Sequence, residues 1–402
     1  MQYRLPVFAI GCACLIALLA FGPRSAMGFF QLPILQDTGW DRTTFGMAMA
    51  LQNLFWGLGQ PFFGLIADKY GTWRVLFCGT LLYMLGLVVM AFATAPVWLH
   101  IGGGILIGLG VAACSFGVIL AAIARLVPPE KRSFAFGMGT AAGSAGMFVF
   151  APISQGLINA LGWSDSLLVI CAIMLLIPLL AIPLRGNAAS SANAGLQLEQ
   201  SVVQALREAL ATRGYLLLTS GFFVCGFQVA FITAHFPAYI ADLGLASKWA
   251  VVAISLIGFF NIIGSLASGY IGQHYSKPIL LSLIYIGRSI AITIFLLLPA
   301  TPTSLVVFSI VMGILWLSTV APTNALVAIM FGTRYLGLLG GIVFFSHQIG
   351  SFLGVWMGGY LYDISGTYDV VWWIGVALGL FAAIIHWPIR EEAVVRVATV
   401  SR

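Results

Sequence analysis

The chain has 402 residues, of which 61% are apolar and only 7% are charged. A soluble domain carries about a quarter charged residues, so this composition excludes an ordinary soluble enzyme. The net charge of +6 comes from scattered residues, which argues against a surface for nucleic acid. A helix needs about 20 mostly apolar residues to cross a bilayer. We predict an all-α membrane protein with twelve transmembrane helices, at 5–32, 43–66, 74–94, 97–125, 133–160, 164–184, 214–240, 248–271, 278–298, 302–330, 336–361 and 370–388.

A polar stretch divides the predicted spans into two groups of six. It predicts an N-terminal six-helix bundle over 1–185, a cytoplasmic linker over 186–213 and a C-terminal six-helix bundle over 214–402. Within the linker, LEQSVVQALREAL is expected to form an amphipathic helix on the membrane surface. The halves resemble a degenerate repeat, since GLIADKYG at Gly64 has a counterpart GYIGQHYS at Gly269. Two pseudo-symmetric halves are typical of secondary transporters, which bind their substrate near the bilayer midplane.

The positive residues predict the orientation in the membrane, because short loops rich in Lys and Arg stay in the cytoplasm. One set of loops and the two termini hold 14 of the 18 Lys and Arg residues, and the opposite loops hold only Arg42 and Lys248. Both termini are therefore expected in the cytoplasm, in a multi-pass protein of the cytoplasmic (inner) membrane. The first span has no small-residue cleavage site and is expected to remain as a membrane helix. The other two arginines, Arg24 and Arg288, fall inside predicted spans.

The loop after the second span carries a recognisable motif. GLIADKYGTWR, from Gly64 to Arg74, resembles the signature loop between helices 2 and 3 of the major facilitator superfamily. The resemblance implies the major facilitator fold and transport by alternating access. It also implies that Asp68, Lys69 and Arg74 gate the cytoplasmic side, with Asp68 pairing with a helix N-terminus or with a basic partner such as Arg132. Charge that only sets the topology is the alternative interpretation.

Three further segments resemble the monocarboxylate transporter group of that superfamily and its oxalate/formate antiporter relatives. The segment 128–163 is similar to the helix-5 signature of the group. GPRSAMGFF places Arg24 where the group commonly carries a lysine, and FFSHQIGSFLG places His347 where the antiporters carry a substrate-binding lysine. The monocarboxylate transporters have an Asp and an Arg in helix 8, where this chain has Asn261 and Ser265 instead.

The predicted spans contain no carboxylate in their interiors, since all twelve Asp and Glu residues fall in loops or at span ends. A cavity with fixed positive charge and no acid suits an anion. Arg24 could hold a carboxylate through two parallel hydrogen bonds, unless it extends to the outer interface of the membrane. Arg288 lies mid-span and either contacts the substrate or packs against carbonyl and hydroxyl groups of neighbouring helices.

Without a buried acid, histidine is the side chain available to carry a coupled proton. His347 and His235 are the candidates, and His347 is also a candidate for substrate contact. Each can instead be a hydrogen-bonded histidine of the helix packing. The uncharged candidates for substrate contact are Asn261, Trp316 and Gln228, and interhelical packing is their alternative role.

These features predict a secondary active transporter of a small organic anion, a mono- or dicarboxylate, that works by anion exchange or by proton coupling. An efflux transporter for hydrophobic or weakly acidic compounds is the alternative. A membrane sensor is a further one, but no segment resembles a signalling domain. An enzyme is not expected, because the sequence shows no nucleophile–base pair or nucleotide loop, and its six cysteines lack zinc-type spacing. We expect a monomer in the lipid bilayer, without cofactor, metal or nucleic acid.

Overall fold

The structure is a computed structural model that describes residues 7–115, 118, 119, 122, 132–185, 201–332 and 335–394, with Asp68 and residues 132–137 described by their backbone alone. This part of the chain is helical and has no β-strand. It contains twelve long helical elements, α1 Val7–Thr38, α2 Arg42–Tyr70, α3 Thr72–Ala91, α4 Pro96–Ala113, α5 Arg132–Leu161, α6 Trp163–Leu184, α7 Arg213–Asp242, α8 Ser247–His274, α9 Lys277–Leu297, α10 Pro302–Phe331, α11 Leu336–Ser365 and α12 Asp369–His386.

Within the described residues, eleven of these elements are long and apolar enough to cross a membrane. The remaining element, α2, has 29 residues and is more polar, because Gln52, Asn53 and Gln60 lie along it. Each predicted span overlaps one observed element, which confirms the all-α fold with twelve transmembrane helices. The predicted end of the fourth span, near residue 125, lies outside the described residues.

The two halves of the molecule repeat the same helix contacts. In the N-terminal half α1 packs against α5, α2 against α4 and α3 against α6, while in the C-terminal half α7 packs against α11, α8 against α10 and α9 against α12. The contacts between the halves follow the same symmetry, since α2 packs along α11 and α8 along α5. This repetition confirms two pseudo-symmetric six-helix bundles. The domain boundaries at 185 and 213 stay a prediction, because residues 186–200 are not among those described.

Two helices are interrupted at mid-length. α1 changes from an α-helix to a 3₁₀ turn at Met27–Phe30, shortly after Arg24. α10 consists of two helical segments, Pro302–Leu315 and Val320–Phe331, joined by a short irregular stretch. Interrupted membrane helices leave backbone carbonyl and N–H groups that need other partners. Both breaks therefore place polar backbone in the middle of the bundle.

The two ends of the bundle differ. At one end, here called the gate end, α1, α7 and α11 finish and α2 and α8 begin; the charge pattern predicts that this end faces away from the cytoplasm. The opposite end is called the linker end. There a short helix, Val202–Ala211, precedes α7 and starts with a capping box between Ser201 and Gln204. The helix predicted within the linker is thus present.

Candidate functional site

Arg24 lies near the middle of α1, and its half-buried side chain contacts α2. One Nη of the guanidinium donates to Oδ1 of Asn53, and Cζ lies 4.4 Å from the centroid of the Trp56 ring. The amide of Asn53 is oriented by a second bond, from its Nδ2 to the carbonyl of Met49 at 2.8 Å. The ring of Trp56 attracts the cation through its π face. Arg24 is therefore held in place by neutral groups.

The Arg24 guanidinium has no acidic partner in the described part of the chain, where the ion pairs are Arg42 with Asp242 and Lys277 with Glu391. Its Nε is buried without an acceptor, and the same holds for Nε1 of the Trp56 ring beneath it. A charge in the membrane interior is costly unless a partner or water compensates it. The site thus combines a positive charge with two N–H groups that lack an acceptor, which is what an anion requires.

A small space of about 20 Å³ lies beside Arg24, between α1, α2 and α7. Its polar lining includes Gln52, Asn53 and Thr233. This volume holds one water molecule but not an organic anion.

His347 is joined to the Arg24 site by a hydrogen-bond chain that crosses between the halves. Its Nδ1 is 3.0 Å from Oε1 of Gln348, and Nε2 of Gln348 donates to the backbone carbonyl of Asn53 at 3.0 Å. With the amide assigned this way, the neutral imidazole carries its proton on Nδ1. Gly57 leaves room for this contact, since a Cβ there would lie 2.8 Å from Cβ of Gln348.

Aromatic rings also connect the two candidates. Trp56, beneath Arg24, has its ring centroid 5.2 Å from that of Phe344, and Phe344 stacks on His347 at 5.8 Å. Two further rings, from α1 and α7, complete this aromatic cluster: Phe21 and Phe222. The structure therefore brings Arg24 and His347, which are distant in sequence, to one cluster between the halves.

Asn261 and Trp316 lie at the break of α10, and their polar groups are engaged in helix packing. Nδ2 of Asn261 donates to the hydroxyl of Ser144 in α5 at 2.9 Å, and its Oδ1 accepts from the backbone N–H of Leu317 at 3.0 Å. Trp316 is buried, and its backbone carbonyl accepts from Arg288. In this conformation both residues have the packing role, and Asn261 also bridges the two halves.

Arg288 is fully buried within the C-terminal half. Its Nε and Nη2 donate to the carbonyl of Leu315 at 3.1 and 2.8 Å, Nη2 also donates to the carbonyl of Trp316, and Nη1 donates to Gln228 at 3.3 Å. Gln228 in turn donates to the carbonyl of Gly375 at 2.8 Å. A cation at the C-terminal end of a helical segment satisfies free carbonyls and the negative end of the helix dipole. Arg288 thus clamps the break of α10.

At the gate end, Arg42 of α2 binds two acids of the other half. It forms a bidentate ion pair with Asp242, at the end of α7, with distances of 2.6 and 2.7 Å. Asp363, near the end of α11, accepts from the backbone N–H groups of Arg42 and Thr43 at 3.2 and 2.7 Å. This carboxylate therefore caps the first turn of α2 from the opposite half. The gate end is closed.

His235 is buried below this gate, and both of its ring nitrogens are bonded. Nε2 is 2.8 Å from the carbonyl of Val355, and Nδ1 is 3.1 Å from Nε2 of Gln31 and from the hydroxyl of Tyr368. Val355 is eight residues beyond His347 on α11, about 12 Å closer to the gate end. His235 is therefore separate from the aromatic cluster.

Comparison with known proteins identifies the family of the chain. The sequence model of the Major Facilitator Superfamily matches residues 12–355. The chain belongs to the Major Facilitator Superfamily. A D-xylose-proton symporter of known structure superposes with a TM-score of 0.75 over 96% of this chain and 100% of that one, at 16% identity. A bacterial homologue of the human lysosomal transporter Spinster, inward-facing and occupied, gives 0.73 over 96% and 97% at 14% identity. These two structures support the fold alone.

Several curated superfamily relatives cover most of the chain. Monocarboxylate transporter 13 of Rattus norvegicus is 27% identical over 314 residues, 77% of this chain and 71% of the relative. Monocarboxylate transporter 12-B of Danio rerio is 25% identical over 353 residues, 80% and 74% of the two chains. YcxA of Bacillus subtilis, an uncharacterised MFS-type transporter, is 23% identical over 388 residues, 92% and 91%. The resemblance to the superfamily and its monocarboxylate transporter group is confirmed, and these relatives are transporters rather than enzymes.

The signature loop of the superfamily joins α2 to α3. Gly71, between the two helices, has φ of 93°, a value that favours glycine. Lys69 is exposed with its Nζ 5.1 Å from the ring centroid of the tyrosine that follows it, and Arg74 donates to a backbone carbonyl one turn earlier at 3.3 Å. The side chains of Asp68 and Arg132 lie outside the described structure. Gating by these four charged residues stays a prediction.

A separate groove of about 610 Å³ lies between α9 and α10 near the gate end. Its lining is mostly apolar and includes the exposed Ile294 and Val307, which face the surroundings of the bundle. The predicted site residues do not line this groove. It belongs to the lipid-facing surface rather than to the region between the halves.

Two contacts between the halves are only weakly indicated by the sequence. Arg42 is one of two positive residues predicted on its side of the membrane and stands among several acids, a pattern that favours an ion pair without naming its partner. Gln348 follows His347 directly, so its spacing gives no indication of a bond to α2.

Proposed function

We propose that the protein is a secondary active transporter of a small organic anion, a mono- or dicarboxylate. The observation that carries the proposal is the Arg24 guanidinium, which lies between the halves at mid-height, is held by neutral groups and has no acidic partner among the described residues. A carboxylate would supply the countercharge and accept from the free Nε. The relatives named monocarboxylate transporters support this substrate class.

His347 provides a second, pH-dependent contact in this proposal. The aromatic cluster joins it to Arg24, and its protonated form would attract the same anion. A protonated His347 would therefore bind the anion more tightly than the neutral form. Both anion exchange and proton-coupled transport agree with this arrangement.

The transport cycle would consist of rocking of the two halves around the Arg24 layer. The gate end is closed by its ion pair, and the contact of α2 with α11 continues to mid-height, where Gly57 meets Gln348. Towards the linker end, a Cβ added to three glycines of α2, α8 and α11 would meet no atom of the described residues within 4 Å: Gly64, Gly269 and Gly341. We infer a state open to the linker end, which the charge pattern assigns to the cytoplasm. The protein would act as a monomer in the cytoplasmic membrane, with both termini inside.

The aromatic cluster supports a second candidate function, efflux of hydrophobic or weakly acidic compounds. The rings of Phe21, Trp56 and Phe344 offer an apolar surface next to a single charge. In an efflux transporter of this kind Arg24 would be structural, and its replacement would spare transport.

The test is thermal unfolding of the purified protein with a panel of mono- and dicarboxylates. A ligand at a hundred times its Kd stabilises the folded state by about 2.7 kcal/mol. We expect a carboxylate to raise the Tm of the wild type and to have no effect on Arg24→Ala. The matched control is Arg213→Ala, which removes an exposed arginine at the start of α7 and should keep the full response.

Two results would count against the proposal. A carboxylate that stabilises Arg24→Ala as much as the wild type would show that Arg24 is not its anchor. Bulky apolar compounds that stabilise the protein when no carboxylate does would replace the organic-anion proposal by the efflux candidate.

A further inference from the structure

Below the gate, buried side chains from both halves form one continuous hydrogen-bond chain. Nδ1 of His235, on α7, is 3.1 Å from Nε2 of Gln31, on α1, and 3.1 Å from the hydroxyl of Tyr368, just before α12. The Tyr368 hydroxyl is 2.8 Å from an Nη of Arg42, and Arg42 is the residue that binds Asp242 across the gate. His235 is therefore linked through one hydroxyl to the ion pair that closes the gate end.

The protons of this chain can be assigned from the chemistry of its members. The Val355 carbonyl can only accept, so Nε2 of His235 carries a proton and donates at 2.8 Å. In the neutral imidazole Nδ1 is then an acceptor, and its one lone pair is shared between the Gln31 amide and the Tyr368 hydroxyl. The Tyr368 oxygen in turn accepts from Arg42. A neutral His235 thus agrees with the direction of each hydrogen bond between itself and the gate.

A proton added to Nδ1 would reverse the direction of two of these bonds. The Gln31 amide can respond by rotating, because its Oε1 is buried and has no donor in the described structure. The Tyr368 hydroxyl cannot respond as simply, since its oxygen would then lie between an imidazolium and the Arg42 guanidinium. Two cations that share one buried hydroxyl repel each other. A protonated Nδ1 can therefore donate to Oε1 of Gln31 on α1. The added charge at the same time weakens the interaction between the Tyr368 hydroxyl and Arg42.

The described residues around His235 include no free carboxylate that would neutralise this added charge. Within the described structure, the titratable groups around it, from every neighbouring element, are Arg42 of α2, Tyr362 and Asp363 of α11, Tyr368 before α12, and Tyr239 and Asp242 of its own helix. The two carboxylates in this set are bound to the N-terminal end of α2. The closest charge linked to His235 is that of Arg42.

We infer that His235 is a proton-binding site of the transport cycle, separate from the anion site, and that proton binding there opens the gate end. The closed gate requires the neutral imidazole, so proton binding selects the state in which Arg42 has left Asp242. This inference rests on the proposed function only in treating the gate end as one of two alternating gates. It assigns the coupling ion to the layer below the gate and the anion to the layer of Arg24.

The opening is measured directly by electron paramagnetic resonance distances across the gate end, without any substrate. Spin labels are placed at the exposed positions Gln36→Cys and Ser247→Cys, one in each half, in a Cys78→Ser background that removes the exposed native thiol. On lowering the pH from about 8 to about 5, we expect the longer-distance population to rise by about fivefold or more.

Three variants test whether His235 carries this response. His235→Gln keeps an N–H for the Val355 carbonyl but cannot gain a proton, and its distances should not change with pH. Tyr368→Phe keeps the ring and removes only the hydroxyl that links His235 to Arg42, so it should lose most of the response even if His235→Gln does not fold. His274→Gln, which replaces an exposed histidine at the linker end of α8, is the control and should respond like the wild type.

The inference is overturned if the wild type shows no change with pH, or if His235→Gln or Tyr368→Phe responds as the wild type does. Because no substrate is present, the result is independent of the carboxylate panel. A gate that opens with His235 protonation while no carboxylate stabilises the protein would leave the proton site standing and reject the organic-anion proposal.

Discussion

The side chain that binds the Arg24 guanidinium is the amide of Asn53. Because an amide is neutral, the positive charge of Arg24 is not neutralised. Asn53 accepts from Arg24 through Oδ1, the position that a carboxylate oxygen would take in aspartate. Asn53→Asp would place a countercharge inside the site and form an ion pair with Arg24. We expect this variant to bind the carboxylate at least about tenfold more weakly, which corresponds to about 1.4 kcal/mol. The measurement is the ligand-dependent shift in Tm at several concentrations.

Asn53→Leu is the matched control for this change. Both variants lose the bond from Nδ2 to the Met49 carbonyl, but only the aspartate adds a negative charge. If charge decides binding, Asn53→Leu retains more affinity for the anion than Asn53→Asp does. Equal affinities in the two variants would mean that Asn53 acts by positioning Arg24 and that the charge balance of the site is not what selects an anion.

At the scale of the element, the break of α10 depends on a residue of α9. Arg288 donates to the carbonyls of Leu315 and Trp316, which the interrupted helix leaves without N–H partners. Arg288→Met keeps much of the volume but removes these bonds, and each buried carbonyl left unpaired costs about 1–3 kcal/mol. We expect the Tm to fall by roughly 5 °C while carboxylate affinity stays within about twofold of the wild type. Both quantities come from the same unfolding curves.

This pair of readouts separates the two roles considered for Arg288. A variant with an unchanged Tm and a large loss of carboxylate affinity would make Arg288 a substrate contact in another state of the cycle. Arg288→Lys is a useful second variant, because an ammonium keeps the charge but cannot reach both carbonyls and Gln228 with the fork of a guanidinium. It should be less stable than the wild type if the clamp is what matters.

Individual elements differ in how far the sequence predicts them. The spans follow from apolar runs of sufficient length. Even α2 is predicted, because its sequence, although it contains several amides, is bounded by turns with charged residues and glycine. The breaks in α1 and α10 have no comparable signal. Trp316 follows a long apolar run, and the carbonyls that the break leaves free accept hydrogen bonds from Arg288, which belongs to a different element. The composition of one segment cannot indicate a hydrogen-bond donor that belongs to another segment.

At the scale of the whole molecule, the candidate site is likewise only partly predictable from the sequence. Arg24 is identifiable from sequence because a charge inside an apolar span is unusual and needs a reason. Its contacts with Asn53 and Trp56 join α1 to α2 within one half, and the link through Gln348 to His347 depends on how the halves meet. In the proposed cycle, contacts between the halves form and break, so they belong to one conformation rather than to the sequence alone.

The gate is the clearest contact of this kind, and in the proposed cycle its strength sets the balance between the two conformations. Arg42 and Asp242 are 200 residues apart and join α2 to α7 with two charge-assisted hydrogen bonds. Arg42→Asp or Asp242→Arg alone places like charges together and should favour the state that is open at the gate end. The double variant restores an attractive pair and should recover part of the closure, because the charges are exchanged while the helices are unchanged.

The balance is measured by labelling a cysteine introduced at Ala234, which lines the small space beside Arg24, with a membrane-impermeant reagent added from the gate end at constant pH. Peptide analysis separates this thiol from the six native cysteines. Each single variant should label about tenfold faster than the Ala234→Cys parent, since a population shift of that size corresponds to about 1.4 kcal/mol. The double variant should label more slowly than either single one. Single variants that label at the parent rate would show that packing between α2 and α11, and not the ion pair, keeps the gate end closed.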